Sequence, residues 1–140
     1  MPGWQIDPLS SIVCTMGRRI LIADDEGINR LFVKTVLMRN GWEVTDAENG
    51  QEVLDLVKRE HFDIILMDIK MPVMNGLEAM REIRELRENG HTSASVPILG
   101  LTAYSDELSR REIEESGMNG IIAKPVDEKA LIRQIESYLS

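Results

Sequence analysis

Four short polar stretches could carry chemistry in this 140-residue chain, and each directly follows an apolar run. They are Asp24-Asp25, Asp68, Thr102-Ala103 and Lys124-Pro125. If the apolar runs are neighbouring parallel strands, one edge of the sheet gathers three carboxylates, a hydroxyl and an ammonium group.

Three carboxylates at such a short separation repel one another, and they cannot all be ionised at neutral pH without a cation between them. Ligands that are all oxygen atoms suit a hard ion such as Mg²⁺, with Mn²⁺ as a substitute, and phosphate oxygens often complete its shell. The lysine and the hydroxyl would then contact the phosphate. Such a set of groups promotes phosphoryl transfer by positioning and charge neutralisation.

The elements that position these residues follow from the hydrophobic pattern. Apolar residues at helical spacing, such as Ile28, Leu31 and Phe32, separate five short runs of strand length: residues 20–23, 42–45, 64–67, 98–101 and 121–123. Regular alternation predicts an α/β fold, a five-stranded parallel sheet with helices on both faces. A ligand site is expected at the carboxyl edge of such a sheet.

Capping residues predict where several helices begin and end. Asn75-Gly76 should begin the third helix, and Asp127 should cap the last one, because Asn and Asp are favoured N-caps. Gly41 and Gly117 should follow the ends of the first and fourth helices.

Composition restricts the class of protein. The length fits one domain, taken as residues 18–140 after a lead-in or linker at 1–17. A net charge of -8 argues against nucleic-acid binding, which calls for a basic patch. The lone Cys14 predicts a reducing, cytoplasmic setting. No apolar stretch approaches the roughly 20 residues of a membrane span, so we expect no membrane segment.

Each polar stretch also has a plainer interpretation. Asp24-Asp25 could cap the first helix, and Asp68 could be a turn residue. Thr102 could close a strand, and Lys124 could be a solvated surface residue. Because these alternatives are independent of one another, their coincidence at one edge favours a shared site.

Four motifs, in this order and at this spacing, resemble the receiver domain of two-component response regulators. They are residues 20–25, residues 67–76, Leu101-Thr102-Ala103 and Ala123-Lys124-Pro125. The resemblance runs from about Arg18 to Leu139 and is greatest to receivers of hybrid sensor histidine kinases. It implies a flavodoxin-like (βα)5 fold with strand order 2-1-3-4-5.

The resemblance also implies a role for each site residue. Asp68 would be the phosphoacceptor and a metal ligand, with Asp25 bound directly to Mg²⁺ and Asp24 bound through a water. Lys70 would contribute its backbone carbonyl to the ion. Thr102 and Lys124 would contact the phosphoryl oxygens, and a cis Lys124-Pro125 bond would aim the lysine into the pocket.

By the same resemblance, the chain accepts a phosphoryl group from a phosphohistidine and later loses it to water. The donor would be a sensor histidine kinase or a histidine phosphotransfer protein, with small acyl phosphates as substitutes. The chain would be a stand-alone regulator or the excised receiver of a hybrid kinase, and a monomer or weak dimer. It would be a signalling phosphoacceptor rather than an enzyme.

Four residues around the site are expected to modulate it. Lys70 and Tyr104 should overhang the pocket, and Tyr104 should screen the phosphoaspartate from water and prolong its life. Ile121 occupies a position where many receivers carry an aromatic ring. Thr102 should still move into the space beside Ala103, but little change should reach the face formed by the fourth helix, fifth strand and fifth helix.

Three other classes of protein are alternatives to a phosphorylated receiver. A flavodoxin would share the topology, but its first loop should be rich in Ser, Thr and Gly, whereas residues 24–26 are acidic. A phosphohydrolase of the haloacid dehalogenase class would need a second acid where Lys70 stands. A receiver-like module that is never phosphorylated is the third, and the intact acidic pocket argues against it.

Overall fold

The structure is a computed structural model that describes residues 18–91, 94–103 and 107–139, so the lead-in at 1–17 and Tyr104 lie outside the described residues. Strands and helices alternate in it, as the sequence predicts. The elements are β1 (Arg19–Ala23), α1 (Gly27–Arg39), β2 (Glu43–Ala47), α2 (Gly50–Arg59), β3 (Ile64–Asp68), α3 (Gly76–Glu88), β4 (Ile98–Ala103), α4 (Glu107–Ser116), β5 (Gly120–Lys124) and α5 (Glu128–Leu139).

The strands form one parallel sheet in the order β2-β1-β3-β4-β5, which confirms the predicted fold and strand order. Residues 20–23 of β1 and 64–67 of β3 have no exposed surface at all. Consecutive side chains of a strand point to opposite faces, so continuous apolar runs require helices on both sides. In the described parts of the chain, no helix has both the length and the apolar composition needed to cross a bilayer.

Two hydrophobic clusters fill the spaces between the sheet and its helices. One contains Leu21 and Ile65 of the sheet with side chains of α2, α3 and α4. The other contains Ile20, Ile22 and Leu66 with side chains of α1 and α5. Each central strand therefore contributes to both clusters, and the parallel register of β1, β3 and β4 brings their carboxyl ends to the same edge.

Helix boundaries agree with the capping residues in the sequence. Asn75 Oδ1 accepts a hydrogen bond from Glu78 N at 2.9 Å and Glu78 Oε1 accepts one from Asn75 N at 3.2 Å, which is a capping box at the start of α3. Asp127 Oδ2 accepts one from Ala130 N. Gly41 and Gly117 have φ values of 89° and 93°, which favour glycine at the end of a helix.

The first helix lies where its apolar spacing predicts, but it buries another face. Val33, Val36 and Leu37 are the buried residues of α1, whereas Ile28 and Leu31 are largely exposed. The helix is apolar on two sides, and spacing alone cannot tell which side packs on the sheet.

The loop after β3 folds back against the end of that strand. Gly76 N donates a hydrogen bond to the Ile69 carbonyl at 2.9 Å. A β-carbon on Gly76 would lie 2.3 Å from the Asp68 carbonyl oxygen, far inside van der Waals contact. The start of α3 can therefore approach Asp68 this closely only because residue 76 lacks a side chain.

We expect Gly76→Ala to lower the free energy of unfolding by about 1–3 kcal/mol, because the added methyl group must displace the backbone of Asp68. Gly27→Ala is the matched control, since Gly27 also begins a helix but its β-carbon would meet nothing closer than Arg30 Nη2 at 4.0 Å. That variant should gain about 0.4–1 kcal/mol from the lower entropy of its unfolded chain. Urea unfolding of both variants checks the pair, and equal effects would contradict the close-approach argument.

Candidate functional site

The polar stretches singled out in the sequence meet at the carboxyl edge of the sheet. Carboxylate oxygens of Asp24, Asp25 and Asp68 all lie within 4.8 Å of one another. Asp24 and Asp25 follow β1, and Asp68 ends the neighbouring strand β3. Parallel pairing of adjacent strands therefore produces the carboxylate cluster.

The lysine reaches the cluster from the far edge strand. Lys124 ends β5, and its Nζ lies 2.6 Å from Asp68 Oδ2. The Lys124-Pro125 peptide bond is cis, and the lysine side chain is 19% exposed. The same Nζ lies 3.6 Å from Asp24 Oδ2 and 3.7 Å from Glu26 Oε1, so one ammonium group faces three carboxylates.

Thr102 lies on β4, between the strands that carry Asp68 and Lys124. Its side chain is buried, with 4% of the residue exposed. Leu101 is the register partner of Asp68, and Thr102 pairs with Ala123, the residue before Lys124. The hydroxyl therefore occupies the level at which β3 and β5 end.

Burial and charge act in opposite directions on the ionisable pair. Burial raises the pKa of Asp68 above its ordinary value, although the hydrogen bonds from Lys124 and Lys70 N lower it. Burial would lower the pKa of Lys124, but the hydrogen bond to Asp68 and the nearby acids outweigh it and raise that pKa. The contacts of Lys124 therefore favour its charged form, whereas burial works against the charged form of Asp68.

Asp24 is held by groups that the sequence pattern does not predict. Its carboxylate is completely buried and accepts hydrogen bonds from Glu26 N at 2.9 Å and from the side-chain amide of Asn29. Arg30 Nη1 donates to the Asp24 carbonyl at 2.7 Å, while its guanidinium pairs with Asp46 and Glu48. A spacing of five or six residues across a turn gives no signal of such contacts, since polar residues at a helix start usually face solvent.

The residues expected to modulate the site are placed as follows. Lys70 is exposed, and its backbone N–H donates to Asp68 Oδ1 at 3.2 Å. Ile121 is half-buried and packs against the cluster that contains Ile65. Ala103 is the last residue of β4, and Tyr104 lies outside the described residues.

Large apolar side chains are exposed beside this edge. Ile28, Leu31 and Phe32 of α1 are 89%, 64% and 42% exposed, and Ile28 lies four residues after Asp24. Val73, in the loop that follows Asp68, is 81% exposed and has a φ of 67°, which is rare for a β-branched residue. Exposed apolar side chains therefore follow two of the acidic stretches along the chain, the one at Asp24-Asp25 and the one at Asp68.

Comparison with known proteins gives one consistent result. The sequence model of the response regulator receiver domain matches residues 20–136. The CAI-1 autoinducer sensor kinase/phosphatase CqsS of Vibrio cholerae is 37% identical over 122 residues, which cover 87% of this chain but 17% of that protein. The chain thus spans a small part of this curated relative.

Solved structures agree with the sequence match. A receiver domain of a Pseudomonas aeruginosa sensor histidine kinase, with a magnesium ion coordinated in its active-site cleft, is 31% identical with a TM-score of 0.79, over 87% of this chain and 97% of that one. The Saccharomyces cerevisiae Ssk1 receiver domain, solved in complex with the histidine phosphotransfer protein Ypd1, is 32% identical with a TM-score of 0.79. The match covers 86% of this chain and 88% of that one. With its fold, its strand order and the match over residues 20–136, the chain belongs to the response regulator receiver domain family.

Proposed function

We propose that this domain is a Mg²⁺-dependent phosphoacceptor in which Asp68 receives a phosphoryl group from a phosphohistidine. The observation that supports this most directly is the position of Asp68. Its carboxylate is buried, lies in the acidic cluster and is hydrogen-bonded to Lys124 at 2.6 Å. A nucleophile, a charge-neutralising group and a cation site therefore coincide at one carboxyl group.

The proposed transfer is a substitution at phosphorus. An Asp68 oxygen forms a new P–O bond while the P–N bond of the phosphohistidine breaks. The imidazole nitrogen keeps the electron pair and takes up a proton. Lys124 shifts its hydrogen bond from the carboxylate to a phosphoryl oxygen, and the Thr102 hydroxyl donates to another. Dephosphorylation is a separate substitution: a water oxygen forms a new P–O bond and gives up a proton to solvent, while the P–O bond to Asp68 breaks. The Asp68 carboxylate is regenerated, and inorganic phosphate leaves.

The acidic cluster fits a divalent cation. Its potential ligands are carboxylate oxygens only, within 4.8 Å of one another, and Asp25 is exposed whereas Asp24 is buried. The carboxylates of Asp25 and Asp68 would bind Mg²⁺ or Mn²⁺ directly. Asp24 would bind the ion through a water, and Lys70 would bind it through its backbone carbonyl. When bound, the ion neutralises charge on the carboxylates and on the phosphoryl oxygens. Burial and the charge of Asp24 raise the pKa of Asp68, and a bound cation would offset both effects.

We further propose that the donor is a protein carrying phosphohistidine, either a sensor kinase or a histidine phosphotransfer protein. The exposed apolar residues Ile28, Leu31 and Phe32 begin beside the acidic cluster, and a small phosphate ester has no use for them. A helical surface of the donor could cover them and present its histidine to Asp68. On this view the domain promotes its own phosphorylation and dephosphorylation.

The net charge of -8 argues against nucleic acid as a further partner, because nucleic-acid binding calls for a basic surface.

Several expectations from the sequence stay predictions. They are a long-lived phosphoaspartate screened by Tyr104 and Lys70, a weak response beyond Ile121, a monomer or weak dimer, and a cytoplasmic location. The choice between a stand-alone regulator and one receiver of a hybrid kinase belongs with them.

Asp68→Asn should abolish covalent labelling by acetyl phosphate with Mg²⁺, because an amide is not a nucleophile and cannot replace the carboxylate. Intact-mass measurement should show one phosphoryl adduct on the unaltered chain and none on the variant. Asp63→Asn is the control, since Asp63 precedes the other end of β3. An adduct that persists in Asp68→Asn would refute the assignment of the acceptor.

Mg²⁺ should stabilise the fold by an amount that grows with the logarithm of its concentration, about 2.7 kcal/mol at one hundred times the dissociation constant. Asp25→Asn should lose most of this gain, because it removes an exposed ligand without opening a cavity. Urea unfolding of the unaltered chain and of Asp25→Asn, in EDTA and at a series of Mg²⁺ concentrations, measures the stabilisation of each. Equal stabilisation of the two chains would place the cation elsewhere.

The double variant Ile28→Ser, Leu31→Ser should slow phosphoryl transfer from phosphorylated yeast Ypd1 by about tenfold or more, as expected for two apolar contacts in an interface. Its labelling by acetyl phosphate should be unchanged. Met38→Ser is the matched control, since Met38 is 55% exposed at the far end of the same helix. An equal loss with both donors, or an equal loss in the control, would contradict a docking role.

A further inference from the structure

Glu26 occupies the N-cap position of α1 but does not cap the helix. Its side chain makes no capping hydrogen bond, whereas the side chains of Asn49 and Asn75 cap α2 and α3. Asn, Asp, Ser and Thr are the residues favoured at this position, and glutamate is not among them. The helix thus forgoes a stabilising cap, and the carboxylate of Glu26 is directed to another partner.

That partner is Lys124. Glu26 Oε1 lies 3.7 Å from Lys124 Nζ. Of the three carboxylates around this ammonium group, those of Asp68 and Asp24 are 8% and 0% exposed, whereas that of Glu26 is 68% exposed. Glu26 therefore holds the solvent side of the ammonium, and the other two hold its buried side.

The approach of a phosphoryl donor brings negative charge to the same place. Its phosphoryl oxygens must reach Lys124 and Asp68 from solvent. They meet the Glu26 carboxylate on the way, and they compete with it for the ammonium. At a separation of about 4 Å, a pair of like charges is worth a several-fold change in rate even in water.

We propose that Glu26 is a charge filter at the pocket entrance, which slows phosphorylation of Asp68 by small donors in proportion to their negative charge. This inference rests on the proposed phosphoacceptor function. Glu26 is a specificity-determining residue and does not take part in bond formation. A protein donor can place a cation or hydrogen-bond donors of its own surface over Glu26, whereas a small acyl phosphate cannot. The filter would favour the protein-borne phosphohistidine over free acyl phosphates.

Two small donors of different charge test this directly at saturating Mg²⁺. Acetyl phosphate is a dianion near neutral pH, and its transfer forms a P–O bond to Asp68 while the P–O bond to acetate breaks. Phosphoramidate carries one net negative charge, and its P–N bond breaks with release of ammonia. Both leave the same adduct, so initial rates of phosphorylation can be compared by intact mass.

Glu26→Gln should raise the rate with acetyl phosphate by about two- to fivefold, and it should raise the rate with phosphoramidate distinctly less. Glu26→Lys should increase the difference between the donors further. The gain should shrink in 1 M salt, where the screening length is about 3 Å. A Mg²⁺ titration of each variant ensures that the comparison is made with the cation site filled.

Glu43→Gln is the matched control. Glu43 is also 68% exposed and lies 3.7 Å from a cation, Arg19, but it begins β2 at the opposite edge of the sheet. Glu43→Gln should change neither the rate with acetyl phosphate nor the rate with phosphoramidate. Equal gains with both donors, no gain in Glu26→Gln, or the same gain in the control would overturn the filter. Absence of any adduct on the unaltered chain would instead overturn the phosphoacceptor function itself, and the filter with it.

Discussion

The site depends on how one ammonium group is shared among several carboxylates. Asp24, Asp25 and Asp68 bring three potential negative charges within 4.8 Å of one another, and Lys124 places a positive charge 2.6 Å from Asp68. Lys124 Nζ lies 2.6 Å from an Asp68 oxygen, 3.6 Å from an Asp24 oxygen and 3.7 Å from a Glu26 oxygen. Burial and the charge of Asp24 raise the pKa of Asp68, so additional positive charge at this site would favour the ionised carboxylate.

The scaffold keeps Lys124 available for Asp68 by satisfying Asp24 with neutral donors. A buried carboxylate needs hydrogen bonds, and Asp24 takes them from Glu26 N and the Asn29 amide. Had a second cation supplied those bonds, the charge balance of the pocket would be different and the demand for a metal ion weaker. The first turn of α1 therefore belongs to the site as much as the strand ends do.

The fold and the main site residues can be predicted from the sequence because both depend on strong patterns. Strands buried on two faces must be continuously apolar, and parallel strands must end at one edge, so Asp68, Thr102 and Lys124 could be brought together without coordinates. The contacts of Asn29, Arg30 and Glu26 could not be predicted, because they depend on the angle at which α1 leaves β1. The buried face of α1 could not be predicted either, since Ile28 and Leu31 have the spacing of core residues but are exposed to solvent.

On the proposed function, Lys124 would also couple the binding of the divalent cation to the phosphorylation of Asp68. Asp68 would hold Lys124 less strongly once its charge is shared with a cation, and the ammonium could then pair with phosphoryl oxygens. Coupling of this kind is reciprocal, so a phosphoryl group on Asp68 would in turn strengthen cation binding. Cation binding and phosphorylation would then stabilise the same arrangement of charges. The carboxylates that repel one another in the resting pocket would be the groups through which the two events reinforce each other.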